Sequence, residues 1–130
     1  MKYTKATNYA LHTIVYMIEH NAQSEKISVH TLANHFNVSV TYLSKILTQL
    51  VKADLIESTS GVNGGYALRK KAEDISFLDV IKATEGTGAL FDCNIEKESK
   101  CLIHKVMTEA ENVMEKYLQD KKLIEVAQNP

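Results

Sequence analysis

Residues 91–104 read FDCNIEKESKCLIH and hold both cysteines of a 130-residue chain, with one of its five histidines. Thiolate sulfur and imidazole nitrogen bind borderline and soft metals, and a thiolate is also the nucleophile of disulfide exchange. Cys101 and His104 stand three apart. At the start of a helix they would share one face and could meet one centre. The N-terminus of that helix would favour the Cys101 thiolate. Seven residues separate Cys93 from Cys101, enough loop for Cys93 to fold back onto them. Two chemistries fit. One is a metal centre ligated by Cys93, Cys101 and His104, one protein ligand short of the four that zinc or a 2Fe–2S cluster usually takes. The other is a Cys93–Cys101 disulfide, which needs Cα atoms within about 7 Å. Two unreactive cysteines are the third reading.

The elements that must position these residues follow from composition and periodicity. A chain of this length is one domain's worth, with 45% hydrophobic and 24% charged residues, and needs neither disulfide nor metal to hold a core. One proline, at the end, and five glycines predict long helices and few loops. No apolar run approaches the roughly 20 residues that span a bilayer. The apolar N-terminal stretch is broken by His12 and Tyr16 and precedes no cleavage pattern, so the reading is a cytoplasmic chain with no membrane partner. Cysteines in that compartment are normally reduced. Residues 1–72 carry eight Lys/Arg against four Asp/Glu, and residues 73–130 carry seven against twelve. A basic half beside an acidic half suits a protein that meets a polyanion with one end.

Apolar residues at helical spacing predict an amphipathic helix over residues 4–20. Ser28 can cap a second helix that buries Leu32, Ala33 and Phe36, and Ser39 a third over residues 40–52 that buries Leu43, Ile46, Leu47 and Leu50. Two β-prone runs, Leu55 to Thr59 and Tyr66 to Leu68, flank a glycine-rich turn in which Asn63-Gly64 would supply the positive φ angles of a tight hairpin. Ser76 and Asp79 form a capping-box pattern for a helix ending near Gly86. A loop over residues 87–100 leads to a last helix from Cys101 to about Leu118. Its stripe of Leu102, Val106, Ala110, Val113 and Tyr117, widened by Ile103, Met107, Met114 and Leu118, exceeds what one such domain needs for its own core. Val106, Ala110, Val113, Met114 and Tyr117 are therefore the expected homodimer interface.

Residues 29–48, VHTLANHFNVSVTYLSKILT, fit a helix-turn-helix. Ala33 is small where two helices cross, Asn37 suits a left-handed turn, and Val38, Leu43 and Ile46 fall where the second helix packs on the first. The second helix of such a unit lies in the major groove of double-stranded DNA, with its N-terminal residues toward the bases. The residues free for that work are Ser39, Thr41, Tyr42 and Lys45, with Lys52, Ser60, Asn63 and the Arg69-Lys70-Lys71 cluster as flanking contacts. A hairpin directly after that helix is the wing of a winged helix.

The start MKYTKATNYAL, the segment VTYLSKIL, the wing GVNGGYAL, the stretch ISFLDVIKATEG and the CLIH that opens the last helix together resemble the Rrf-two family of bacterial transcription regulators. The resemblance spans nearly the whole chain. It implies a homodimer on a palindromic operator, joined through the C-terminal helix, and in many members an iron–sulfur cluster in the loop before it. It also implies that the partner's first helix can lend that cluster a ligand. The matching position is Asn8, a poor ligand, with His12 one turn along on the same face. Two departures stand out. Family wings often carry arginine where this chain has Ser60, and cluster-bearing members have three loop cysteines where this chain has two. A standard three-cysteine cluster cannot form.

The expected architecture is mainly α with a small β-hairpin wing. A winged helix-turn-helix spans residues 1–86, a cysteine-bearing sensor loop 87–100, and a dimerisation helix with its tail 101–130. The expected function is that of a dimeric DNA-binding repressor whose affinity responds to redox, metal or iron–sulfur chemistry at Cys93 and Cys101. The competing reading is a winged-helix protein-interaction module that does not touch DNA, favoured by the modest basic charge and the absent wing arginine. No glycine-rich phosphate loop, paired carboxylates or nucleophile beside a base outside the cysteine loop suggests an enzyme.

Overall fold

The structure is a computed structural model that describes residues 3–88 and 101–128. Three helices open the chain: α1 (Lys5–Glu19), α2 (Val29–Phe36) and α3 (Val40–Lys52). Each starts where a hydroxyl can take up an N–H left over at a helix start. Thr4 accepts from Thr7 N–H, Ser28 from Thr31 N–H and Ser39 from Tyr42 N–H. Asn37 ends α2 in the left-handed conformation (φ 55°, ψ 48°), and Val38 N–H returns to the Ala33 carbonyl. This turn sets the crossing of α2 and α3, with Ala33 buried between them. Phe36 is only half-buried, because it lies in a rim of rings formed with Tyr9, Tyr16 and His35 rather than in the core.

Asp54, at φ 62°, stops α3, and the hairpin follows at once. Strands β1 (Ile56–Thr59) and β2 (Gly65–Leu68) pair antiparallel from Ile56 with Leu68 to Thr59 with Gly65. On its other side Tyr66 exchanges two backbone hydrogen bonds with Ile27, which ties the wing to the segment ahead of α2. The turn differs from expectation. The positive φ angles fall on Gly61 (100°) and Gly65 (149°) and not on Asn63-Gly64. With Thr59 opposite Gly65, the connection runs through residues 60–64, too long for a two-residue turn. Gly64 is required by space: a Cβ there would collide with the Thr59 carbonyl oxygen and the Ser60 carbonyl carbon.

A 3-10 turn (Ala72–Asp74) leads to α4 (Phe77–Glu85), opened by the reciprocal Ser76–Asp79 capping box and closed at Gly86 (φ 82°). The last helix, α5 (Leu102–Asp120), is 19 residues long, about 28 Å at 1.5 Å per residue. None of its own residues is fully buried. Beyond it the chain returns to the body. Phe77 N–H donates to the Lys121 carbonyl, Leu123 N–H donates to the Ile75 carbonyl, and the Leu123 side chain is wholly buried. The core therefore joins Ala10, Ile14 and Met17 of α1, Leu32 of α2, Leu43, Leu47 and Leu50 of α3, Ile56 of β1, Val80 of α4 and this distant leucine.

Candidate nucleic-acid interface

The α3 side opposite its buried Leu43, Ile46, Leu47 and Leu50 carries Thr41, Lys45, Thr48 and Lys52, all exposed and spaced i, i+4, i+7, i+11. Thr48 was not among the sequence candidates, although its step of three from Lys45 puts it on the same stripe. Ser39 is exposed, with its oxygen engaged as the helix cap at 3.0 Å from Tyr42 N–H. Tyr42 is half-buried. Its ring stands edge-on to Tyr9 at 5.8 Å, and Tyr9 stands edge-on to Phe36 at 5.9 Å, so packing against α1 sets its orientation.

On the wing, Ser60 and Asn63 are exposed. The basic cluster after β2 is altered by its neighbours. Arg69 lies 3.4 Å from Asp54, with both side chains mostly exposed, and Lys70 lies 2.9 Å from Asp79. The exposed pair contributes little to stability. The second is more shielded. Burial pushes the Asp79 carboxyl up, but the Ser76 N–H, the Lys70 hydrogen bond and the Lys70 charge outweigh it and hold the group below its ordinary range. Lys70 thus anchors the wing's exit to the start of α4, and two of the three clustered cations face carboxylates.

Cys93 lies outside the described residues. Cys101 is buried and is the N-cap of α5, its Sγ accepting from His104 N–H at 3.3 Å. Cys101 and His104 thus meet within one helical turn, and the His104 imidazole reaches the Thr108 hydroxyl at 3.4 Å. His12 is exposed on α1, and its Nδ1–H donates to the Asn8 carbonyl at 2.9 Å. A carbonyl only accepts, so the lone pair falls on Nε2, the form that ligates metals. Among the described residues no three His, Cys, Asp or Glu side chains converge on a metal position within one chain.

A polar cluster that sequence reasoning missed stands where the cysteine loop begins. One Glu85 carboxylate oxygen accepts from Thr4 N–H and from the Thr4 and Thr7 hydroxyls, and Thr7 also meets the Thr84 hydroxyl at 2.6 Å. Burial raises the Glu85 carboxyl, yet the Thr4 and Thr7 donors outweigh it and keep the group below its ordinary range. The first turn of α1 is thereby fastened to the last turn of α4.

On α5, Leu102, Ile103, Val106, Val113 and Tyr117 are 62–78% exposed, and Ala110 is exposed between them. Met114 is half-buried, its Sδ accepting from the Tyr3 hydroxyl at 3.0 Å. Half-buried His104, Thr108, Glu111, Glu115 and Leu118 take the remaining side at helical spacing, so the exposed apolar stripe is a distinct face. Among the described residues no helix is long and apolar enough to cross a membrane.

Comparison with known proteins adds three kinds of finding. The family profile described as Rrf2, iron-dependent transcriptional regulator, matches residues 3–129. A Lactococcus lactis protein named as a helix-turn-helix-type transcriptional regulator, YffB, is 38% identical over 115 residues, covering 81% of this chain and 74% of that one. Among solved structures, a transcriptional regulator from Listeria innocua superposes with a TM-score of 0.78 at 25% identity, covering 97% of this chain and 85% of that one. The oxidised form of Staphylococcus aureus CymR superposes with a TM-score of 0.72 at 29% identity, covering 98% and 97%.

Proposed function

This chain belongs to the Rrf2 family of transcription regulators, DNA-binding proteins and not enzymes, and we propose that it is a homodimeric repressor of a palindromic operator, controlled by chemistry at its cysteine loop. The observation that carries the reading is the pairing of two exposed surfaces with opposite character. The polar stripe Thr41–Lys45–Thr48–Lys52 on α3 suits the edges and phosphates of a major groove, and Ser39 and Tyr42 stand at its leading end. The apolar stripe of α5 suits a second copy. Two α3 helices must stand about 34 Å apart to read the two halves of a palindrome, and a dimer about α5 provides a rigid spacer for that. In this division of labour residues 1–86 read DNA, 87–100 sense and 101–130 pair the protomers.

The donor set suits a thiolate-bound metal or iron–sulfur group. Cys101 already accepts an N–H bond at a helix start, and His12 presents Nε2. Cys93, Cys101 and His104 of one protomer with His12 of the other would make four ligands. Such a cluster, when bound, would supply one-electron redox chemistry. The chain's own part is to hold Cys101 at the α5 start while Glu85 fixes the other root of the loop on α1, so that a change in the loop strains both the dimer helix and the reading unit. A Cys93–Cys101 disulfide would pull on the same two roots, and the relative crystallised in an oxidised form keeps that reading open. Metal analysis, thiol counting and DNA titration, each before and after mild peroxide, test the proposal. Metal lost in His12→Ala supports the shared centre, and two thiols lost together without metal support the disulfide. Metal-free protein whose thiols and DNA affinity ignore peroxide overturns control by the loop.

A further inference from the structure

We propose that Val62, at the tip of the wing, makes an apolar contact with the DNA minor groove, and that the tip of this wing grips the duplex through uncharged groups. The inference rests on the DNA-binding reading above. From Thr59 to Gly65 the chain reads TSGVNGG, without a single charge. Val62 is completely exposed, so the fold gains nothing from its side chain. It is nevertheless held in one place. Gly61 takes a positive φ of 100°, Gly64 N–H closes the turn onto the Gly61 carbonyl at 3.0 Å, and no Cβ is tolerated at Gly64.

That geometry makes a narrow tip. Glycines stand on either side of Val62-Asn63, so only two side chains project from the turn. A minor groove about 6 Å wide admits such a tip more readily than a broad one. The hairpin leaves the end of α3 after only residues 53–55, so with α3 in the major groove the tip must land on the flanking strand or the groove beyond it. There an apolar β-branched side chain meets sugar faces and base edges and has little rotamer freedom to lose. The neighbouring Asn63 amide can donate to the acceptors of the groove floor. Beside the hairpin a notch of about 340 Å³ is lined by Val29, Tyr66, three glycines and the hydroxyl residues Ser28, Ser58, Thr59 and Ser60, of which the last three carry hydroxyls that suit phosphodiester oxygens. With Arg69 and Lys70 facing Asp54 and Asp79, two of the three clustered cations after β2 are turned to intramolecular partners, and none of the wing's charges lies between Thr59 and Gly65.

The test uses the full-length protein and a duplex that it selects from a random-sequence pool, titrated over a range of salt. Val62→Ser should weaken binding roughly three- to tenfold per wing, leaving the salt slope unchanged. Val62→Lys places a cation at the same point and should steepen the slope by about 0.9 per wing. Both variants change one fully exposed position, so folding is preserved, and circular dichroism verifies it. If both variants titrate like wild type, the tip does not touch DNA and the inference falls. A steeper slope in Val62→Lys beside an unchanged Val62→Ser overturns the apolar contact. Lys45→Ala in the same titration separates the levels: weakened binding there with silent Val62 variants overturns the wing contact alone, whereas no change in any variant overturns the DNA-reading assignment of α3 as well.

Discussion

Two carboxylates show how a single side chain ties distant segments together. Asp79 caps its own helix and receives Lys70, while Glu85 receives three donors from the first turn of α1. Both have folded-state pKa values below the ordinary values of 3.8 and 4.5. The unfolded chain therefore binds these protons more readily. Their contribution is complete above the ordinary values and is lost as pH falls through the folded ones. Glu85→Gln should flatten the acid side of the melting-temperature profile between about pH 3 and 5, at a cost near neutrality of no more than about 1 kcal/mol, because the group is partly solvated. An acid limb identical to wild type would refute the clasp. The Ser76–Asp79 box was legible in the sequence because both partners lie within four residues. Glu85 was not, since Thr4 and Thr7 are about eighty positions away and nothing in the local pattern of α4 points to them. The carboxylate partners of Arg69 and Lys70 were hidden for the same reason: nothing in a run of three cations shows that tertiary structure brings Asp54 and Asp79 against it.

At the scale of elements, the helices were readable from apolar spacing and caps, and the hairpin from its composition, but not the geometry of its turn. An Asn-Gly pair between β-prone runs favours a two-residue turn. Here register is set instead by Ile56 and Leu68, which must both enter the core and therefore pair, so five residues remain to be accommodated at the tip. Glycine is then needed twice for different reasons, conformation at Gly61 and space at Gly64. Gly64→Ala should destabilise the protein by roughly 1–3 kcal/mol, because the obstacle is backbone and cannot swing away. Gly61→Ala meets open space and only backbone strain, about 1 kcal/mol. Urea denaturation of both variants checks the order, and a Gly64→Ala protein as stable as wild type would show that the turn relaxes at no cost. On α3 the same periodic reasoning reached Thr41, Lys45 and Lys52 but passed over Thr48, which looks like filler until the exposed stripe is drawn through it.

For the whole molecule, the question is how a helix with no fully buried residue of its own stays in register with the reading unit. Its two ends answer it. Cys101 is buried at the start, and past the end Leu123 enters the core and Leu123 N–H and the Lys121 carbonyl pair with Ile75 and Phe77 at the mouth of α4. The proposed control by the cysteine loop requires a helix held at both ends in this way, since a helix on a free tail would not carry a change to α3. Leu123 was invisible in the sequence because the short apolar run it shares with Ile124, Val126 and Ala127 is too brief to show a period. The anchoring seen here and the pairing proposed for α5 predict separable defects. Leu123→Ala should lower unfolding stability by about 2–5 kcal/mol through the cavity it leaves, and should do so for the isolated protomer. Val106→Lys with Val113→Lys alters only exposed positions. It should leave the protomer folded but shift sedimentation from dimer to monomer, with operator affinity falling because two half-sites are no longer held together. If the double variant sediments like wild type, α5 is not the pairing surface. If wild-type protein is itself monomeric at micromolar concentration, the two reading helices have no spacer and the palindromic operator must be abandoned with it.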